Sequence, residues 1–112
     1  MIIAVGNKLK DPDIGYIYII KNGEYYKIGR TINYISRFYS YKRTEMPNLN
    51  EVIFCDKFKW HKRVEQKLLS WFKNRRHRGE WFSLTQKDLK TIKSQFDSFH
   101  FWEKVSDSWT YN

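Results

Sequence analysis

The stretch that decides the fold is Gly15-Tyr-Ile-Tyr-Ile-Ile-Lys-Asn-Gly-Glu-Tyr-Tyr-Lys-Ile-Gly-Arg-Thr31. Two β-rich runs, 15–21 and 24–30, flank Asn22 and Gly23, the strongest short-range hairpin signal. With these two as the turn residues, Tyr18 lies opposite Lys27, Ile17 opposite Ile28, Ile19 opposite Tyr26 and Tyr16 opposite Gly29. Side chains alternate across a strand, so Ile17, Ile19, Tyr26 and Ile28 form one apolar face. Tyr16, Tyr18, Lys27 and Gly29 share the other, which is expected to meet solvent.

Outside the hairpin, 33–43 carries Tyr34, Ile35, Phe38 and Tyr41 at helical spacing, with Thr31 or Asn33 as a cap, Arg37 at the edge of the stripe, and Met46-Pro47-Asn48 as a terminator. Residues 51–56 read as a third strand and 59–74 as an amphipathic helix. Thr85 and Asp88 have capping-box spacing ahead of Leu89, Ile92, Phe96 and Phe99. This order predicts an α+β fold, a small antiparallel sheet with helices packed on it. One domain is expected over 15–102, with 1–14 as an N-terminal extension and 103–112 as a tail.

The chain has 112 residues, 21 Lys+Arg and 12 Asp+Glu, for a formal charge of +9. That length supports a core of its own. The single Cys55, beside Val52, Ile53 and Phe54, excludes an internal disulfide and a cysteine metal cage and is expected to be a buried, reduced thiol. No apolar run approaches the roughly 20 residues of a membrane span, and Met1 to Val5 lacks a basic leader, so a soluble, cytoplasmic protein is expected.

Almost all the excess charge falls in 57–78, where Lys57, Lys59, Lys62, Arg63, Lys67, Lys73, Arg75, Arg76 and Arg78 face one acid, Glu65, for a local charge of +8. So one-sided a segment reads as a footprint for a polyanion, although composition alone leaves nucleic acid and an anionic membrane both open. Lys62, Arg63, Lys67, Lys73, Arg75, Arg76 and Arg78 are the expected nucleic-acid contacts. On a helical wheel of 59–74, Trp60, Val64, Leu68, Leu69, Trp71 and Phe72 occupy one half. His61 and Glu65 fall inside that apolar arc, at about 100° and about 140° from Trp60. A carboxylate there must be neutral, paired or bound to a cation. It is either salt-bridged to a basic neighbour or a ligand for a hard ion such as Mg²⁺, which takes one or two carboxylates plus water and phosphate. His61 reads either as a core histidine or as a site residue.

The hairpin adds chemistry. A Lys27 ammonium opposite the Tyr18 phenol would lower its pKa and make it a better general base toward water; a plain cross-strand packing pair is the alternative. Tyr18 as base, Arg37 as phosphate clamp and Glu65 as metal ligand are together the parts that phosphodiester hydrolysis requires.

Tyr16-Ile17-Tyr18, Lys27-Ile28-Gly29, Arg37 and the later helical Glu65 resemble the GIY-YIG nuclease superfamily. Tyr-Lys-Ile-Gly-Arg-Thr at 26–31 and Gly-Glu-Trp-Phe at 79–82 resemble its small phage-type branch, over about 15–84. The resemblance implies a three-stranded antiparallel sheet flanked by helices and hydrolysis of DNA at one divalent ion, Mg²⁺ or Mn²⁺. It assigns Tyr18 as base, Arg37 to the scissile phosphate and Glu65 to the metal. The chain departs from the pattern at two positions: Tyr16 stands for the first motif's glycine, and Lys27 for the second motif's tyrosine, as a phosphate ligand or as the group that tunes Tyr18. Gly29 is expected to clear the approach of DNA opposite Tyr16. His61 and Tyr41 are further candidates, and Glu80 is either structural or a further polar group of the site. The compartment would be the host cell if the protein is phage-encoded. Sequence specificity is expected to be limited, or gained through a homodimer. A non-catalytic DNA-binding module is the alternative function; a membrane module is disfavoured because the charged helix commits its aromatics to the core arc.

Overall fold

The computed structural model describes residues 13–44, 46 and 51–109, with side chains to 105. In chain order they form β1 (Gly15–Asn22), β2 (Tyr25–Thr31), α1 (Tyr34–Thr44), β3 (Val52–Phe58), α2 (His61–Trp71), a 3₁₀ turn (Lys73–Arg75), β4 (Arg76–Arg78), β5 (Trp81–Phe82) and α3 (Gln86–Trp109). The sheet has five antiparallel strands in the order β3-β1-β2-β5-β4, not the expected three. The two extra strands have three and two residues and turn through Gly79, whose φ of 57° is in the glycine-favoured region. Strands of two and three residues carry no periodicity to read.

The hairpin forms, but its turn lies one residue later than expected. Gly23 and Glu24 are the central residues, and Gly23 alone has a positive φ, 65°, which is the type II′ pattern with glycine first. The register therefore shifts by two. Tyr18 pairs with Gly29, Ile20 with Lys27, Ile19 with Ile28 and Ile17 with Arg30. A shift of two keeps every side chain on its predicted face.

Both faces of the sheet are covered. Ile17, Ile19, Tyr26 and Ile28 meet Val64 and Leu68 of α2, Phe72 just after it, and Leu89, Ile92 and Phe96 of α3 in the larger core. The face expected to meet solvent is instead roofed by α1: Tyr18, Ile20, Tyr41 and Met46 are buried together, with Phe38, Cys55 and Trp81 packed against them. Tyr18 is only 1% exposed. Cys55 is half-buried, not fully buried as expected.

The helices follow their caps. The Asn33 side chain accepts from the Ser36 amide (3.0 Å) and caps α1. Thr85 and Asp88 form the expected capping box: the Asp88 amide donates to Thr85 Oγ1 (3.0 Å) and the Thr85 amide to Asp88 Oδ2 (2.9 Å). Three apolar assignments fail. Tyr34 and Ile35 of α1 are exposed, and Trp71 is exposed with its ring stacked on Phe99 at 5.9 Å. The helix over 59–74 shortens to α2, whose buried stripe is His61, Val64, Glu65 and Leu68. The third strand starts one residue later than expected and runs two further, and α3 continues unbroken past residue 102. The readings placed on 1–12 and on Pro47 and Asn48 lie outside the described residues.

Candidate functional site

Three elements end beside one another at the same edge of the fold: β2 with Arg30 and Thr31, α2 with His61 as its first residue, and α1 with Arg37 and Tyr41. Between them lies an open cleft of about 560 Å³, lined by Arg30, Arg37, Tyr41, His61 and the polar Asn33, Ser36 and Ser40, among others. Four of the side chains on its wall can carry positive charge or exchange a proton.

Glu65 stands behind this wall. Pairing with Ile17 puts Arg30 on the sheet face that α2 covers, and its Nε donates to Glu65 Oε1 at 2.9 Å. The carboxylate is nine-tenths buried while the guanidinium keeps water on its other side. Burial pushes the Glu65 carboxyl up and the Glu80 charge pushes the same way, with Arg30 opposing; the net direction is upward. Of the two sequence readings for this misplaced acid, the salt bridge is therefore present. Its partner is a residue 35 positions earlier in the chain, not a neighbour on the helix.

His61 is 1% exposed, and its Nδ1 lies 2.6 Å from the Asp13 carbonyl oxygen. A carbonyl only accepts, so Nδ1 carries the proton and, in the neutral ring, Nε2 keeps the lone pair. Gly15 makes this placement possible, because a Cβ there would fall 2.5 Å from His61 Cδ2 and Nε2. The imidazole is thus a core histidine and a cleft residue together.

Tyr18 departs most from expectation. Its hydroxyl is hydrogen-bonded to that of Tyr41 at 2.6 Å, and its ring is packed edge-on against Phe38. Burial, then the bond to Tyr41, push its phenol well above the ordinary range, the reverse of the expected lowering by Lys27. Lys27 pairs across the strands with Ile20; its ammonium lies 3.7 Å from Glu80 Oε1 and above the rings of Tyr41 (5.8 Å) and Trp81 (5.5 Å). Gly29, expected to clear an approach for DNA, instead makes room for the Tyr18 ring. Tyr41 is the phenol that reaches the cleft, and Arg37 lies 6.0 Å above its ring. The Tyr41 hydroxyl beside it holds the Arg37 guanidinium protonated beyond its ordinary range, against a smaller opposing effect of burial.

The structure thus brings Arg37, Tyr41 and His61 to one cleft, sets Glu65 behind Arg30, and places Tyr18 beneath Tyr41. Sequence reasoning assigned no role to Arg30. The available signal was its face: a cation at a position of the same parity as Tyr26 and Ile28 on its strand points into the core and needs an anion there. Among the described residues no three His, Cys, Asp or Glu side chains cluster as a preformed metal cage. A divalent ion at Glu65 would therefore complete its shell with water and substrate phosphate, as Mg²⁺ commonly does.

The basic segment is spread over a helix, a turn and a short strand. Lys62, Arg63 and Lys67 are exposed on α2, whereas Arg76 and Arg78 lie on the edge strand β4. Lys62 is paired with Asp13 (2.9 Å), Arg75 with Asp88 (3.0 Å), and Arg76 covers the Phe82 ring (5.5 Å). Among the described helices none is long and apolar enough to cross a membrane.

A family model described as the T5orf172 domain matches residues 15–97, which contain every cleft residue. No curated protein and no solved structure matches the chain significantly.

Proposed function

The chain belongs to the T5orf172 domain family, and on that premise we propose that it acts on DNA as a divalent-cation-dependent endonuclease. The observation that carries the reading is the convergence on one cleft of two guanidinium groups, Arg30 and Arg37, and two proton-exchanging groups, Tyr41 and His61, with the Glu65 carboxylate directly behind them. Phosphodiester hydrolysis needs these parts: positive charge for the phosphorane-like transition state, a proton acceptor for water, and a carboxylate for the cation. In this reading Arg37 binds the scissile phosphate and Glu65 holds Mg²⁺ or Mn²⁺, which when bound supplies charge neutralisation and water activation. With Nδ1–H held on the Asp13 carbonyl, His61 Nε2 keeps the lone pair and is the group that takes the proton from water. Tyr18 acts as a positioning residue that orients Tyr41, and Lys27 fixes Glu80 at the margin of the site. Exposed Arg63, Lys67, Lys73, Arg76 and Arg78 supply the salt-dependent hold on the duplex.

The test is nicking of supercoiled plasmid in Mg²⁺ or Mn²⁺. Wild-type turnover that is lost in both Arg37→Ala and Glu65→Gln supports the reading; turnover that survives both changes overturns it. A second reading, DNA binding without hydrolysis, is favoured by one observation: Glu65 already has a cation, Arg30, on one oxygen. It predicts salt-dependent DNA binding and no metal-dependent nicking by the pure protein.

A further inference from the structure

We infer that Arg30 is a resident counter-ion of Glu65 that a divalent cation displaces, so that charging the site with metal releases a second guanidinium into the cleft. The inference rests on the endonuclease reading for the identity of the incoming cation. Its basis is the pair itself. A nearly buried carboxylate spends one oxygen on Nε of an arginine at 2.9 Å. That arginine is not itself buried, since its side chain is 42% exposed, and it lines the cleft that also holds Arg37. A purely structural ion pair would satisfy Glu65 equally well from within the core. Here the partner is on the water side, where its charge can be replaced by another charge from solvent and where its own side chain has somewhere to go. One carboxylate carries a single negative charge, and a divalent ion bound to it would lie against the like charge of the guanidinium on Oε1, so the two cations compete for Glu65. The displaced Arg30 then shares the cleft with Arg37, where both charges suit one phosphate bidentately. Metal and phosphate are thereby coupled: each phosphate contact that Arg30 makes favours its departure from Glu65, and so favours the metal.

The consequence has an unusual sign: removal of a site residue strengthens metal binding. Manganese titration of the DNA-free protein, followed by electron paramagnetic resonance of free Mn²⁺, is expected to show about tenfold tighter binding by Arg30→Gln than by wild type. Glu65→Gln is expected to abolish the binding. A larger rise of melting temperature with Mn²⁺ is expected in Arg30→Gln than in wild type. On wild-type protein, the ¹H–¹⁵N resonance of Arg30 Nε reads the exchange directly. It should carry the shift of a carboxylate-bonded guanidinium without metal and lose it on saturation with diamagnetic Mg²⁺, whether or not the variants fold. Equal or weaker Mn²⁺ binding by Arg30→Gln, or an Arg30 resonance that Mg²⁺ leaves unmoved while Mg²⁺ binds, overturns the exchange but leaves the endonuclease reading standing. Mn²⁺ binding that is absent from the DNA-free wild type overturns the exchange alone, and Mn²⁺ binding that persists in Glu65→Gln overturns both.

Discussion

Replacing Gly29 with alanine tests the hairpin register and the seating of Tyr18 in one experiment. A Cβ built on Gly29 overlaps Cζ and the hydroxyl of Tyr18 and falls 2.8 Å from Cε1, whereas ordinary carbon contacts lie at roughly 3.5–4.0 Å. The ring would have to move by about 1 Å, and it has no room: it is 1% exposed, wedged against Phe38, and bonded at its tip to Tyr41. Overpacking of this kind costs about 1–3 kcal/mol. Loss of the Tyr18–Tyr41 hydrogen bond adds about 1 kcal/mol. A total of roughly 2–4 kcal/mol in a domain near this size lowers the melting temperature by roughly 8–20 °C. The assay is thermal and urea unfolding of Gly29→Ala, Tyr18→Leu, Tyr16→Leu and the two double variants. Because Tyr18 is the residue opposite Gly29, the alanine penalty should shrink strongly in the Tyr18→Leu background and persist in the Tyr16→Leu background. Coupling to Tyr16 instead would restore the register in which Asn22 and Gly23 are the turn residues. A penalty below about 0.5 kcal/mol would refute the close packing itself.

Four further outcomes follow from the charges and the helix cap. The folded-state carboxyl of Glu65 is raised by burial and by Glu80, so its contribution to stability is fullest below the unfolded value near 4.3 and is lost as pH rises through the elevated folded value. Glu65→Gln should therefore gain stability relative to wild type as pH rises from about 4 toward 7; a pH-independent difference between the two proteins would contradict this. Asp88 has the opposite sign. Burial pushes its carboxyl up, but the Thr85 amide, Arg75 and the Thr85 side chain together hold it below the usual range. Its support is present above about pH 4 and lost as pH falls through the lowered value, and acid unfolding of Asp88→Asn should lack that component. Thr85→Ala, which removes the other half of the capping box, should cost about 1 kcal/mol by denaturant unfolding at pH 7. Finally, if α2 touches DNA, Arg63→Gln and Lys67→Gln should each lower the salt slope of binding by about 1 and leave stability unchanged, whereas Arg75→Gln should cost stability through Asp88.

What the sequence revealed and what it withheld divide along the distance between interacting residues. The hairpin, the three helices and the Thr85–Asp88 box are local, and they were legible from alternation, helical spacing and cap chemistry. The face of each hairpin side chain was also legible, because an error of one residue in the turn moves the pairing by two and leaves parity intact. Which face met solvent was not legible. That depended on α1 folding over Tyr18 and Ile20, a contact between segments about 20 residues apart that no local pattern encodes. The same limit hid Arg30: its partner Glu65 was recognised as an acid on an apolar arc, but the cation came from the other end of the domain.

These two misreadings have one physical origin, and it sharpens what Tyr18 and Glu65 can do. A tyrosine on a solvent face beside a lysine would be an acidic phenol; the same tyrosine under α1, donating to or accepting from Tyr41, is a weak acid that acts through its neighbour. A glutamate paired along its own helix would be inert surface charge. Paired instead across the fold to an arginine that lines the cleft, it is a nearly buried acid whose counter-ion is partly exposed. In both cases the residue type survives from sequence to structure while the side chain that lines the cleft is its hydrogen-bond partner, Tyr41 for Tyr18 and Arg30 for Glu65. Arg30, Arg37, Tyr41 and His61 are thereby gathered on the wall of the cleft, with Tyr18 and Glu65 packed behind it. The arrangement costs stability at Glu65, where burial opposes the charge, and that is the expected cost of holding an ionised carboxylate next to a site open to solvent.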